Sequence, residues 1–94
     1  MKIYDFNGRK NLCGIRIKQA RRLQGLSQSD LAARLQVEGI IIERDSISRI
    51  EIGTRFIADY ELLFIAKCLS VTPDWLLGLS ENSGLAPLKR TSKI

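Results

Sequence analysis

The sequence predicts a small all-α protein, folded as a compact bundle of five helices. The first observation is that apolar residues recur three and four positions apart in short segments, which is the spacing of one buried helix face. The second is that cap and breaker residues bound these segments, with Ser, Thr or Asn before them and Gly after them. The 94 residues are enough for one domain with a small core.

The first helix is predicted over residues 11–24, in the stretch NLCGIRIKQARRLQ. Asn11 is the expected N-cap, and Gly25 is expected to end the helix because a left-handed backbone costs glycine little. The inward face is formed by residues at helical spacing, namely Cys13, Ile17 and Ala20.

The second helix is predicted in the stretch SQSDLAARLQ. Ser27 is the expected N-cap, and Asp30 completes a capping box with aspartate in place of glutamate. Leu31, Ala32 and Leu35 form the inner face, where the small Ala32 allows another helix to cross closely.

The connection that follows is longer than a tight helix-turn-helix pair requires. Gly39 is expected to break the second helix. Ile40, Ile41 and Ile42 are too few for a strand, and the chain offers them no partner strand. We predict an enlarged turn that buries some of its isoleucines. An extension of the second helix, a bulged loop and a surface for a partner all remain open.

The third helix is predicted in RDSISRIEIG, beginning near residues 43–45 and ending at Gly53. Ile47 and Ile50 form a narrow apolar stripe on its core side. The opposite side carries arginines and short polar groups, which suit contacts with base edges, instead of the long lysines and glutamates of an ordinary solvated helix. These residues are Arg44, Asp45, Ser48 and Arg49.

The last two helices are predicted from caps and spacing together. The fourth covers residues 59–69, with acidic residues in its first turn and Lys67 in its last, as the helix dipole favours. The fifth has Thr72 as N-cap, Pro73 as its first residue and Gly78 at its end. Trp75 is expected to be a packing lid. The core positions of the fourth helix are Leu62, Ile65, Ala66 and Leu69.

The net charge of +5 favours anionic partners, but the charges are unevenly placed. Residues 1–25 carry seven basic residues against one acidic residue, whereas residues 26–78 carry five basic and eight acidic ones. Nucleic-acid binding must therefore depend on a few placed arginines, backbone amides and the basic flanks. The predicted organisation is an N-terminal segment (1–10), a domain (11–79) and a flexible basic tail (80–94).

Several classes of protein are disfavoured by composition. No apolar run approaches the roughly 18 residues of a membrane span, and the N-terminus lacks the apolar region of a secretory signal. The chain has no histidine, and Cys13 and Cys68 form no paired motif, so we expect no metal, no cofactor and two reduced thiols in a cytoplasmic protein. Neither a nucleophile with a base nor a Gly-rich phosphate loop is present, so we expect no catalytic site.

Four motifs, GLSQSDLA, ISRIE.G, IAKCLSV and the closing WLL, occur in an order that resembles the Cro and phage-repressor type of helix-turn-helix domain, also called Xre-like. The resemblance covers about residues 12–79. It implies a lambda-repressor-like fold in which the second and third helices form the helix-turn-helix, and the third lies in the major groove of double-stranded DNA.

The resemblance also implies roles for individual residues. The base-facing candidates are Arg44, Asp45, Ser48 and Arg49. Arginine can pair with guanine. Asp45 either accepts a hydrogen bond from cytosine or only caps the helix. Arg49 is either a base contact or an ion-pair partner of Asp45. Arg21 and Glu51 match a structural ion pair between the first and third helices. The expected phosphate contacts are Ser27, Gln28, Thr54, Arg55 and Ser46, of which Ser46 could serve a base instead.

Two features depart from the family pattern. The connection before the third helix is longer by roughly five residues than the three or four usual in such motifs. Ile52 occupies a position where a polar residue is common, so it either covers the core or contributes to a dimer contact.

The predicted function is a sequence-specific DNA-binding transcription regulator, a repressor of phage or mobile-element type encoded by a bacterium or phage. We expect a homodimer on a pseudo-palindromic operator. Its dimer surface is predicted to be the fifth helix, with Leu76, Leu77 and Leu79, and the segment after it. The alternative is a protein-interaction module, or an antitoxin that binds a toxin, with the turn at Ile40, Ile41 and Ile42 as interface.

Overall fold

The structure, a computed structural model, describes residues 5–82 and Gly84. These residues contain five α-helices. They are α1 (Gly14–Leu23), α2 (Gln28–Val37), α3 (Arg44–Ile52), α4 (Asp59–Leu69) and α5 (Pro73–Leu76). These residues contain no strand, and the predicted all-α bundle is confirmed. Most of the predicted tail, residues 83 and 85–94, lies outside the described residues, as do residues 1–4.

One core holds the helices together. α1 packs against α3, α4 and α5, while α2 packs against α3 and α4. The largest fully buried side chains come from every helix. α1 to α4 contribute their predicted apolar stripes, whereas no such stripe is predicted for α5. The largest fully buried side chains are Ile17, Leu31, Leu35, Ile47, Ile50, Ile65, Leu69 and Leu76.

Helices α2 to α5 begin close to the predicted positions, and α1 follows its predicted signal at the C-terminal end. Ser27 Oγ accepts from the N–H of Asp30 at 2.9 Å, and Thr72 Oγ1 accepts from the N–H of Trp75 at 3.1 Å. α1 and α2 each end in a Schellman motif, in which Leu26 N–H donates to Arg21 O at 3.0 Å and Ile40 N–H donates to Leu35 O at 2.9 Å.

The predicted start of the first helix is wrong. α1 begins at Gly14, and Asn11 is not its N-cap. Asn11 Oδ1 still accepts from the N–H of Gly14 at 2.8 Å, but its amide nitrogen donates to Ile50 O at 3.0 Å and to Arg55 O at 2.8 Å. Distant carbonyl groups therefore decide the position of this side chain.

The predicted dimer role of Leu76 is also wrong, because Leu76 is 1% exposed and belongs to the core. Leu77 is half-buried, and Leu79 is 75% exposed. Trp75, the predicted packing lid, packs against the core, and the guanidinium of Arg16 lies over its ring at 4.9 Å.

The connection between α2 and α3 is an extended turn with no regular structure at Ile40, Ile41 and Ile42. Ile42 is 3% exposed and Ile40 packs against the core, whereas Ile41 is 68% exposed. The turn therefore buries some of its isoleucines, as predicted, and α2 is not extended through it.

Candidate nucleic-acid interface

The two faces of α3 differ sharply in their surroundings. Ile47 and Ile50 are at most 1% exposed and attach the helix to the core. On the outer face, Arg44, Asp45 and Arg49 are exposed, while Ser46 and Ser48 are half-buried. The predicted base-facing side chains thus share the side of α3 that faces away from the core.

The surroundings of Arg49 bear on its two possible roles. Its Nη2 donates to Ser46 Oγ at 3.3 Å, a long hydrogen bond on the exposed face. Within residues 5–82, no salt bridge joins Arg49 to Asp45. The guanidinium is therefore not held by the carboxylate four positions before it.

A buried ion pair connects the inner face of α3 to α1. Arg21 Nε donates to Glu51 Oε2 at 2.7 Å, and Arg21 Nη2 donates to Glu51 Oε1 at 2.9 Å. Hydrogen bonding to Glu51 raises the pKa of Arg21, although burial acts in the opposite direction. Gln28 Nε2 also donates to Glu51 Oε1 at 3.1 Å, so the carboxylate links three helices.

The start of α2 combines a helix cap with potential phosphate donors. Ser27 and Asp30 form the predicted capping box, with both hydrogen bonds at 2.9 Å. Hydrogen bonds from Ser27 hold the pKa of Asp30 below its ordinary value. The Ser27 hydroxyl also hydrogen-bonds the Asp30 carboxylate, so a phosphate would have to share its hydrogen with that group. The amide of Gln28 has a second N–H beyond the one given to Glu51.

The loop after α3 holds two further predicted phosphate contacts. Thr54 is exposed, and its N–H donates to Arg49 O at 2.9 Å. Arg55 makes a two-pronged ion pair with Glu61, at 3.0 and 3.1 Å. A phosphate would have to share the Arg55 guanidinium with this carboxylate.

Sequence reasoning missed the residues that hold the C-terminal end of α3. Arg9 donates to the carbonyls of Ile52 and Glu51 at 2.9 and 3.0 Å. These contacts span more than 40 residues, so no local pattern shows them. The dipeptide Asn7-Gly8, a strong signal for a tight hairpin turn, could have indicated that this segment is ordered.

The described residues offer little to a metal ion. No group of three or more His, Cys, Asp or Glu side chains among them could hold one. Cys13 and Cys68 are free, and burial raises the pKa of both thiols. In the same residues, no helix has the length and apolar character needed to cross a bilayer.

A second surface lies beside the enlarged turn. A cleft of about 360 Å³ runs between the outer side of α2 and the residues before α3, and Ala32, Ala33, Ile41 and Ile42 contribute to its lining. Ile41 in this lining is 68% exposed, and Val37 at the end of α2 is 85% exposed. This surface adjoins Arg44 at the start of α3.

α2 and α3 form a helix pair joined by a turn, with one face of α3 left exposed, which is the arrangement of a helix-turn-helix domain. The family model described as helix-turn-helix matches residues 17–76, which is most of the chain. The chain therefore belongs to the Cro/C1-type, Xre-like helix-turn-helix family, whose members are DNA-binding transcription regulators. A search of curated proteins found no match.

Proposed function

We propose that this protein is a repressor that binds a pseudo-palindromic operator as a homodimer and acts in the bacterial cytoplasm. The observation that carries the proposal is the outer face of α3, where Arg44, Asp45 and Arg49 are exposed. The inner face of the same helix is held by the ion pair between Glu51 and Arg21. A recognition helix needs this combination, because contacts with base edges require both free side chains and a set orientation.

In the proposed complex, Arg44 and Arg49 pair with guanines, and Asp45 accepts from a cytosine amino group. Ser46 and Ser48 are half-buried on opposite flanks of this face, and Ser46 takes a base or a phosphate. The start of α2 and the loop after α3 contact the backbone on either side of the reading helix. The residues assigned to phosphates are Ser27, Gln28, Thr54 and Arg55.

The homodimer is proposed because one domain of this size gives few base contacts, while two would read half-sites about 34–36 Å apart. Two exposed apolar side chains are available for such a contact. Leu79 follows α5 and is 75% exposed, and Ile52 ends α3 and is 64% exposed. Since Ile52 is exposed, it does not cover the core.

Selection of bound duplexes from a random DNA pool, at near-physiological salt, tests the proposal directly. We expect an enriched motif with two-fold symmetry, whose half-site spacing gives the dimer geometry. An enriched motif without symmetry would contradict the homodimer. The absence of any enriched motif would contradict sequence-specific reading by α3.

The Arg49→Ala substitution tests the base contact itself. Loss of a bidentate pair should weaken binding to the selected duplex by about 1–3 kcal/mol, with a much smaller effect on a scrambled duplex. Arg22→Ala is the matched control, since it removes the same charge from the exposed side of α1. Equal weakening of both duplexes by Arg49→Ala would show that Arg49 contacts only phosphate.

A second candidate is a protein partner, such as a toxin neutralised by this chain. The exposed Ile41 in the cleft lining and the exposed Val37 at the end of α2 favour it, because exposed apolar side chains are a common feature of interfaces. The salt dependence of DNA binding separates the candidates. DNA reading predicts a log–log slope of about −0.9 per neutralised phosphate, whereas a flat response favours the protein partner.

A further inference from the structure

We propose that Arg9 is a positioning residue for DNA recognition. It belongs to the end clamp, residues 5–11, which holds the C-terminal end of α3 and so fixes the helix for reading bases. This inference rests on the proposed function of α3. The end clamp lies before residue 17, where the family match begins, so the matched region does not include it.

The end clamp supplies hydrogen bonds to the carbonyl groups at the end of α3. Such groups have no partner within a helix. Arg9 Nη1 donates to Ile52 O at 2.9 Å and Nη2 donates to Glu51 O at 3.0 Å. The backbone N–H of Lys10 donates to Gly53 O at 2.8 Å. A single short segment thus binds the last turn of the helix and the residue after it.

The position of the guanidinium is sterically defined. A Cβ atom at Gly53 would lie 2.6 Å from Cζ of Arg9, and one at Gly14 would lie 2.7 Å from Nη2 of Arg9. Gly53 also has a φ of +98°, which disfavours side chains. The Arg9 side chain therefore fills the space left by two glycines. Its positive charge also complements the negative end of the helix dipole.

The end clamp is shaped by its own tight turn. Asn7 and Gly8 have φ values of +53° and +79°, the positive values that a type I′ hairpin turn requires. Phe6 N–H donates to Arg9 O at 2.7 Å, and Arg9 N–H donates to Phe6 O at 3.0 Å. The turn directs the chain back toward α3, so Arg9 reaches the helix from a preformed loop.

Position matters more for base contacts than for phosphate contacts. Hydrogen bonds to base edges require a set geometry, whereas attraction to the charged backbone tolerates small shifts. Asn11 extends the effect, because its amide joins Ile50 O at 3.0 Å to Arg55 O at 2.8 Å across the loop after α3. Loosening the end clamp should therefore reduce specific binding more than general DNA binding.

The experiment compares Arg9→Ala and Arg9→Lys with Arg22→Ala, which removes one exposed arginine from α1. Dissociation constants are measured for the duplex selected by the wild-type protein and for a scrambled duplex, at a temperature where circular dichroism shows each variant folded. We expect Arg9→Ala to weaken the affinity for the selected duplex about tenfold. For the scrambled duplex, Arg9→Ala should weaken the affinity no more than Arg22→Ala does. Arg9→Lys should lie between, because lysine keeps the charge but not the two-pronged geometry.

Equal losses on both duplexes would overturn the positioning role and leave only a charge effect. If Arg9→Ala does not fold, the Arg9→Lys variant provides the test. If that variant distinguishes the selected duplex from the scrambled one as well as the wild-type protein does, the proposal is also overturned. Failure of the proposed function is a separate result. In that case the wild-type protein itself would not distinguish the selected duplex from the scrambled one, and the positioning role would fall with it.

Discussion

The buried ion pair between Arg21 and Glu51 should be among the strongest side-chain couplings in the domain. The two side chains are 9% and 3% exposed, and two parallel hydrogen bonds of 2.7 and 2.9 Å join them. The perturbation is a double-mutant cycle with Arg21→Met, Glu51→Met and both together. Methionine keeps an unbranched side chain at each position while it removes the charge.

The magnitude follows from which groups each variant leaves behind. Among the described residues, Arg21→Met leaves the buried carboxylate with only the Gln28 amide. In the same part of the chain, Glu51→Met leaves the guanidinium with only Leu26 O, 2.8 Å away. Loss of one partner of a buried pair costs about 3–5 kcal/mol. The double variant leaves no buried charge there, so we expect it to cost no more than either single variant. The coupling energy, which is the sum of the two single losses minus the loss in the double variant, should therefore be at least about 3 kcal/mol.

Urea denaturation followed by circular dichroism measures the free energy of unfolding of each variant. The matched control is the same cycle on Lys67 and Glu38, whose side chains are 63% and 33% exposed at 3.1 Å. There we expect a coupling energy of less than about 1 kcal/mol. A coupling energy between Arg21 and Glu51 no larger than that of the control pair would contradict a strong interaction across the buried pair.

Three further predictions concern stability. Ser27→Ala should lower the free energy of unfolding by about 1 kcal/mol through loss of the α2 cap, while Ser29→Ala on the exposed face of α2 should change it by less than about 0.5 kcal/mol. Gly14→Ala should lower it by about 1–3 kcal/mol, because a Cβ atom there would collide with the carbonyl oxygen of Ile50, and wild-type stability would contradict this close approach. For Glu61, burial raises the pKa, but hydrogen bonds from a guanidinium and a backbone N–H bring it below the ordinary 4.5 in balance. The ionised carboxylate therefore stabilises the fold at neutral pH, and this stabilisation is lost as the pH falls through the folded-state pKa. In urea titrations, the loss of stability caused by Glu61→Gln should shrink below about pH 4.5. A loss that does not change with pH would contradict this.

The sequence predicts the middle of the fold well because local signals decide it. α4 runs from Asp59 to Leu69, the predicted range, since the apolar stripe and the terminal charges agree there. The start of α1 is different. Asn11 is a good N-cap by type, yet carbonyls 39 and 44 residues away take its amide. A tertiary contact of this kind leaves no trace in the local pattern.

The candidate interface divides in the same way. Helical spacing alone places Arg44 and Arg49 on the outer face of α3, because Ile47 and Ile50 define the inner one. Arg9 could not be found by spacing. Its role depends on the hairpin turn before it and on the space beside two glycines, and only the folded chain brings these together.

The enlarged turn is compatible with a fixed reading helix because it is anchored where α3 begins. Ile42, two residues before Arg44, is 3% exposed and packs in the core, while Ile41 takes the solvent-exposed position. The additional residues of the turn are therefore accommodated before α3, and the start of α3 stays packed against the core. With Ile42 at one end, Glu51 on the inner face and Arg9 at the other end, α3 is held at three points. A helix held in this way has little order to gain on binding, so more of the contact energy remains for discrimination between sequences.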